Sequence, residues 1–438
     1  MGLRRHHVLV FLSVSAWLMT WHPAAIAETG STASPPRALS SVEQQIVAAI
    51  DAQATDPLDL LERAVNIPSA TSNLVGVRRA GDIFGAELQK LGFTTRWVSM
   101  PKDMQRAGHL FAEHTGTKGK RLLLIGHVDV VLEGQEFRRD GTTLYGNGVS
   151  DMKGGVVVLI AALRALDRAG VLEGMRLVVA LTGDEEDVGQ PVATSRRDLI
   201  EAARQSDVAL GFEAGRADAV RMARRGQSIW TLDVKGTGGH SYEIFKAPLG
   251  NALFEASRIL ARFYEELREP YLSDSPSLAL GGTDVTHDVE RSRGTAAGEA
   301  SVVPQGAVVL GDLRYISEQQ RETAKARMQA IVSEHLPGTS SSISFREEMP
   351  PWSPRPGSQV LLDAYDEISR DLGLGAVAAR DPEDGGAADI SFVGAIVPGL
   401  DGLGGIGQHL HAATEDMALN SLSSQAKRAA LLIYRLTR

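Results

Sequence analysis

Residues 176–190, RLVVALTGDEEDVGQ, decide how this 438-residue chain folds. An apolar run from Leu177 to Leu181 breaks at Gly183 and passes directly into Asp184, Glu185, Glu186 and Asp187. A short apolar run closed by glycine reads as a buried strand, which puts two adjacent glutamates at its carboxyl end. Neighbouring carboxylates there repel each other and lose hydration, so a site that keeps them ionised should offer a cation. Outward from this stretch, RLLLIG (121–126) is a second such run, VALGFE (208–213) a third, and GGVVVLIAALRALDRAG (154–170) between the first two has helical spacing. Strands alternating with helices predict an α/β fold, a mainly parallel sheet with helices on both faces. Ligands of such sheets gather beyond the carboxyl ends of the strands, where His127, Glu185 and Glu213 all lie.

The ends of the chain read differently. Arg4 and Arg5, an apolar run and the triplet Ala25-Ile26-Ala27 have the three-part layout of a signal peptide over residues 1–27. Its apolar run is short of the roughly 20 residues a spanning helix needs. The expectation is an exported protein, periplasmic, with no membrane attachment after cleavage. Residues 28–41 begin ETGSTASPPRALS and read as a flexible leader. The net charge of −9 becomes two units more negative once Arg4 and Arg5 are removed, which argues against nucleic acid and anionic membranes as partners. With no cysteine, disulfides are excluded and a metal must be held by His, Asp and Glu.

Amphipathic helices are expected in SVEQQIVAAIDAQ (41–53) and in GVRRAGDIFGAELQKLGF (76–93), the second closed by Gly92. Near Gly226 the pattern changes. SIWTLDVKG (228–236) alternates, with Trp230, Leu232 and Val234 on one face. NALFEASRILARFYEELRE (251–269) is helical, AVVLGDLRY (307–315) strand-like, Ser317 to Leu336 helical and SSISFREE (341–348) strand-like. This predicts an α+β domain over 225–349, inserted between catalytic segments 42–224 and 350–438.

Several short stretches have the residue types that metal chemistry needs. In GHVDVV (126–131), alternation puts His127 and Asp129 on one face, where the carboxylate can orient the ring. Asp151 in LYGNGVSDMKGG (144–155) either caps the next helix or, through its two oxygens, bridges two cations. Glu185 and Glu186 can divide the labour, one binding metal while the other holds a water and takes its proton.

The ordered set of H-x-D, a glycine-rich loop with Asp, Glu-Glu, a further Glu and a late His resembles the co-catalytic zinc peptidase family of carboxypeptidase G, acetylornithine deacetylase and succinyl-diaminopimelate desuccinylase. The resemblance runs from about Val42 to the C-terminus. It implies a zinc-exopeptidase-like sheet, a ferredoxin-like lid that also dimerises, and two zinc ions per chain, with Co2+ or Mn2+ possible on the same donors. His127 and Glu213 would hold one ion, Glu186 and His411 the other, and Asp151 would bridge them. Asp129 would orient His127, and Glu185 would be the general base. His411 is preferred to His409 because the family's ligand precedes a glutamate by four residues, here Glu415. A cis peptide is implied at Asp151-Met152. In KGTGGHSYE (235–243), His240 would polarise the scissile carbonyl of a partner subunit, so a homodimer joined through the lid is implied.

Arg314, in VVPQGAVVLGDLRY (302–315), either grips the substrate's carboxylate or pairs structurally with Asp312. Ser301 stands where many relatives carry Asn, and Ala388, in DGGAADIS (384–391), where Ser or Thr is common. Both departures bear on specificity more than on the metal shell. SATSNLVGVRRAGDIFGAELQKLGF (69–93) and GLGGIGQHLHAATED (402–416) most resemble the glutamate carboxypeptidase branch. The implied activity is cleavage of an amide bond beside a free C-terminal carboxylate, on a small peptide or N-acyl amino acid. The alternatives are an N-acyl amino acid deacylase, a dipeptidase, an aminopeptidase, which usually lacks the insert, and an inactive binding protein.

Overall fold

Period-two burial sorts the central strands into two cores. Leu122 and Leu124 face one way with Leu177, Val179 and Leu181, while Leu123 and Ile125 face the other way with Val178 and Ala180. Strands buried on both faces must be covered on both, and they are. The computed structural model describes residues 37–438 apart from Ala54, Ala247 and residues 289–292. The signal segment 1–27 and the leader up to residue 36 lie outside the described residues.

The central sheet runs in the order Thr94–Val98, His109–His114, Met175–Thr182, Lys118–His127, Val208–Gly211, Gly399–Leu400. The last four pair in parallel and the first two add on antiparallel. His127 pairs with Thr182 in register, so the residues that follow both strands emerge at one edge of the sheet. On one face the Lys153–Arg168 helix is apolar nearly all round, as a helix buried on every side must be. It packs against the Leu419–Thr437 and Ser41–Asp51 helices. On the other face lie Leu199 and Ala203 of the Arg197–Arg204 helix, together with Ile390 and Val393.

The helix beginning at Ser41 is fixed by Ser40 and Glu43, which bond reciprocally as a capping box. The Leu74–Lys90 helix ends as expected near Gly92, whose φ of +82° suits glycine. The helix Asp56–Val65 and the strands Thr94–Val98 and His109–His114 were not expected. Asp56–Val65 packs on the distant Lys153–Arg168 helix and His109–His114 pairs with the distant Met175–Thr182, while Thr94–Val98 is a short edge strand with no fully buried residue.

A second, four-stranded antiparallel sheet runs Ser273–Gly282, Gly306–Tyr315, Gly226–Gly236, Thr339–Met349. Trp230, Leu232 and Val234 do share one face, packed on Ile259 and Phe263 of the Ala252–Glu266 helix and Met328 of the Glu318–Ser333 helix. The core they form is distinct from the two beneath the central sheet. Where the chain enters and leaves this sheet, Arg224 and Trp352 exchange two backbone hydrogen bonds of 2.9 Å. An exposed hairpin, Asp284–Asp288 with Arg293–Ala297, extends from it and was not expected. None of the described helices is long and apolar enough to cross a membrane.

Helix Lys153–Arg168 begins hard against the strand end that supplies Glu213. A Cβ on Gly155 would lie 1.9 Å from the Phe212 carbonyl oxygen. Glycine to alanine inside a helix ordinarily stabilises by up to about 1 kcal/mol. Here Gly155→Ala should instead lower the urea midpoint, by an overpacking cost of about 1–3 kcal/mol. A midpoint that rises would mean the helix start can slide away from Phe212.

Candidate metal centre

Five segments deliver side chains to one point. His127 is the last residue of its strand, Glu185 and Glu186 follow Thr182, and Glu213 lies two residues past Gly211. Asp151 comes from the glycine-rich loop that precedes the buried helix, and His411 from the turn between the short strands Gly407–Gln408 and Asp416–Ala418. His127 Nε2 is 3.3 Å from Asp151 Oδ1 and 3.7 Å from Glu213 Oε1. His411 Nε2 is 3.2 Å from both Asp151 Oδ2 and Glu186 Oε2. Three groups of possible ligands result: His127-Asp151-Glu213 and Asp151-Glu186-His411, which share Asp151 through different oxygens, and His127-Glu185-Glu186. Glu185 Oε2 stands 3.9 Å from His127 Nε2 and faces the same space. All but His127 line a cleft of about 400 Å3.

The surrounding bonds explain how the cluster is held. The Asp129 carboxylate accepts from the Thr71 hydroxyl at 2.6 Å and from the backbone N–H of both Glu185 and Glu186 at 3.1 Å. His127 Nδ1 meets the Asp129 carbonyl at 3.1 Å and its carboxylate at 3.5 Å, which leaves Nε2 to the cluster. Asp129 therefore positions both the ring and the Glu-Glu turn. Glu415 accepts from the backbone N–H groups of Gly148, Ser150 and Asp151, each at 2.9 Å, and so shapes the loop that aims Asp151. The Asp151-Met152 peptide is cis. His411 sits at φ +61°, a sparsely populated region for a non-glycine residue, held between its carboxylate partners.

A second buried network lies beneath. Arg196, wholly buried, bonds Asp184 at 2.5 Å and Asp389 at 2.7 Å, and Asp389 also accepts from the Thr182 hydroxyl at 2.5 Å. Both acids are paired by the same guanidinium, so Asp184 remains ionised and the Glu-Glu turn is anchored from below. Asp389 belongs to this network, not to the cleft wall.

Burial raises the carboxyl pKa of Glu185, Glu186 and Glu213, and neighbouring acids add to the effect: Glu213 and Glu186 on Glu185, Asp151 on Glu186, and Asp151 with Asp401 on Glu213. Burial opposes protonation of His127, but the surrounding Glu213, Asp129 and Asp151 outweigh it and raise its pKa. His411 is pushed up to about 11 by its bonds to Asp151 and Glu186. Asp151 is driven far down by its two imidazole partners despite its burial. Glu186 Oε1 is buried with no hydrogen-bond partner, an atom that a cation would satisfy. Oxygen and imidazole donors, two triads and one shared carboxylate fit a pair of divalent ions of the zinc, cobalt or manganese kind.

Other expected residues lie elsewhere. His240 is exposed on a loop beside the second sheet, its ring 4.7 Å from that of Tyr242. Its loop is tied to the 301–303 segment through Ser241 N–H to Ser301 O and Val303 N–H to Gly239 O. Arg314 does pair with Asp312, Nε lying 2.8 and 2.9 Å from the two oxygens, while Nη1 stands 3.9 Å from where a Cβ on Gly386 would be. His409 bonds Asp416 at 2.7 Å, outside the cluster. Ala388 is buried and begins the Asp389–Phe392 turn. Unforeseen contributors are Thr71, the clamping role of Glu415, and Arg224, whose buried guanidinium pairs with Asp401 at 2.6 Å while Asp401 Oδ1 accepts from the Glu213 N–H at 3.4 Å. Only Glu415 left a trace in the sequence, as the acid four residues beyond His411.

Comparison with known proteins matches residues 123–435 to the model of peptidase family M20/M25/M40. The chain is 29% identical over 385 residues to carboxypeptidase G2 of Pseudomonas sp. (strain RS-16), covering 85% of this chain and 87% of that protein. It is 26% identical over 397 residues to succinyl-diaminopimelate desuccinylase of Halorhodospira halophila, covering 84% and 94%. Among solved structures, the aminopeptidase PepT of Bacillus cereus superposes with a TM-score of 0.69 at 14% identity, over 87% of this chain and 98% of that one. The M20 metallo-carboxypeptidase Sso-CP2 of Sulfolobus solfataricus does so with 0.65 at 16% identity, over 87% and 99%. The structural likenesses are likenesses of fold.

The electrostatics fix a pH dependence for metal-stripped protein. Carboxyls whose folded pKa is raised stabilise the fold below their ordinary value of 4.5 and lose that contribution as pH rises through the folded value. The raised imidazoles act in the same sense, up to about 11 for His411. The thermal midpoint of stripped protein should therefore fall steadily above about pH 5, and zinc should flatten the slope. A stripped protein equally stable across that range would refute the reading of the cluster as mutually repelling acids.

Proposed function

The chain belongs to peptidase family M20/M25/M40, and from that membership we propose an exported, zinc-dependent exopeptidase that cuts an amide bond next to a free C-terminal carboxylate. The observation that carries this reading is the pair of triads joined at Asp151; Glu185, which also forms a group with His127 and Glu186, is left over as the base when those two triads hold the ions. The similarity to carboxypeptidase G2 supports the carboxypeptidase arm. The similarity to desuccinylases supports the alternative, an N-acyl amino acid deacylase on the same site. A dipeptidase shares only the fold, as human carnosine dipeptidase 1 does at 17% identity. The second sheet is no argument against an aminopeptidase, because the PepT fold covers 87% of this chain. An inactive binding protein would have no use for a free Glu185.

His127, Asp151 and Glu213 would hold one metal ion, and Asp151, Glu186 and His411 the other. Ions bound there supply Lewis acidity, acidifying water and polarising the scissile carbonyl. The chain's own residues do the rest. Glu185 takes a proton from the attacking water as its oxygen bonds to the carbonyl carbon, then delivers that proton to the amide nitrogen as the C–N bond breaks. Asp129 keeps Glu185 in place through its backbone N–H and keeps the His127 ring turned. Arg314 receives the terminal carboxylate with its two terminal nitrogens, Nε being occupied by Asp312. His240 steadies the carbonyl oxygen from a second copy of the chain, which makes the working unit a homodimer. Export follows from the signal-peptide layout of residues 1–27.

Glu185→Gln isolates the proton transfer. It should lower turnover of a cleavable N-acyl amino acid or dipeptide by roughly 10²–10⁴-fold while metal content stays at wild-type level. Loss of metal together with activity would mean that Glu185 is a ligand and the division of labour is wrong.

A further inference from the structure

The two faces of the central sheet are unequally covered. One lies under the Lys153–Arg168 helix and the helices packed on it. The other is covered by the Asp389–Phe392 turn and the Arg197–Arg204 helix, which has eight residues and so is about 12 Å long. Leu199 and Ala203 of that helix, four residues apart, take the middle of the face with Leu123 and Ile125. The antiparallel end of the sheet, where Phe111 and Val178 come to the same face, is left open beside Ala202. The opening is a cavity of about 310 Å3 that shares no residue with the metal cleft.

Two ion pairs bracket its apolar floor. Strand register puts Arg96, Phe111, Glu113 and Val178 on one face, with Arg121 two residues before Leu123 on the next strand. At one end the Arg96 guanidinium lies 4.6 Å over the Phe111 ring and reaches Asp198 of the helix at 3.1 Å. At the other, Arg121 reaches Glu113 at 2.9 Å across the intervening Met175–Thr182 strand, beside Val178. Each end therefore offers one cation and one anion. Partly exposed pairs of this kind contribute little to stability, so a ligand can open one at small cost. A lone anion or a lone cation would meet a like charge at either end. A molecule with adjacent opposite charges and an apolar body satisfies both members of a pair and covers Phe111 and Val178.

We propose that this cavity binds a free α-amino acid with an apolar side chain. Its carboxylate bonds Arg96, its ammonium bonds Asp198, and its side chain rests on Phe111 and Val178. The Arg96–Asp198 pair is the one that opens, because it joins sheet to helix and so lets an inserted ligand touch both walls. A peptide would bring only one of the two charges to the pair, which is why the occupant is the free amino acid. The site stands apart from the exopeptidase reading, since its test reads binding of a compound with no bond to cut.

The test is calorimetric titration of the zinc-loaded full chain with L-leucine and three partial mimics. Of these, 4-methylpentanoate lacks the ammonium, 3-methylbutylamine lacks the carboxylate and glycine lacks the side chain. Leucine should bind at least roughly tenfold tighter than each mimic. Ala202→Phe, which fills the cavity from the helix side, should abolish leucine binding, and Asp198→Asn should weaken it by roughly tenfold or more. No leucine binding at millimolar concentration, any mimic binding as tightly as leucine, or leucine binding that survives Ala202→Phe would overturn the proposal. If Ala202→Phe fails to fold, Arg96→Met on the edge strand takes its place, and undiminished leucine binding in that variant would equally overturn it.

Discussion

Repulsion among buried acids is the constraint on which the rest of this structure depends. Glu185, Glu186 and Glu213 converge at the ends of parallel strands, Asp151 joins them from the loop before the Lys153–Arg168 helix, and two imidazoles lie between them. Nothing in a low-dielectric interior holds such a group together unless cations, or protons in their place, supply the missing charge. The parallel sheet makes the convergence geometrically cheap, because parallel strands end at the same edge and their following residues need only turn inward. Everything nearby then serves to hold the acids against their repulsion. Asp129 grips the backbone of the Glu-Glu turn, Arg196 fixes it from below through Asp184 and Asp389, and Glu415 shapes the loop that presents Asp151.

The site also has a gradient of charge across it. The acidic ligands share their cleft with Arg221, Arg224 and Arg380; Arg224 pairs with Asp401 at 2.6 Å and Arg380 Nε lies 3.9 Å from Asp384. The second sheet brings Arg314 against Gly386, next to the Gly385 that packs on Arg221. Between the two sheets the chain crosses through the paired Arg224 and Trp352 backbones.

Much of this was legible in the sequence because it rests on local pattern. Apolar runs closed by glycine gave the parallel strands and put His127, Glu185 and Glu213 past their ends, where a residue has little freedom in where it points; Asp151 and His411 were legible through the family resemblance. The helix at Ser41 was legible through its cap and Gly92 through its turn. What escaped notice depends on contacts between distant residues. Thr71 reaches Asp129 across 58 positions and Asp389 reaches Arg196 across 193, and no local pattern encodes such pairs. The strand His109–His114 is short and gains its place by pairing with Met175–Thr182.

The central claim is that Asp151 joins two metal sites into one. Calorimetric titration of zinc into stripped wild-type protein and into Asp151→Ala tests it most directly. The account predicts two equivalents per chain in wild type, with uptake accompanied by proton release, and loss of tight binding at both sites in the variant. A single equivalent in wild type, or one site left at full affinity in Asp151→Ala, would contradict it.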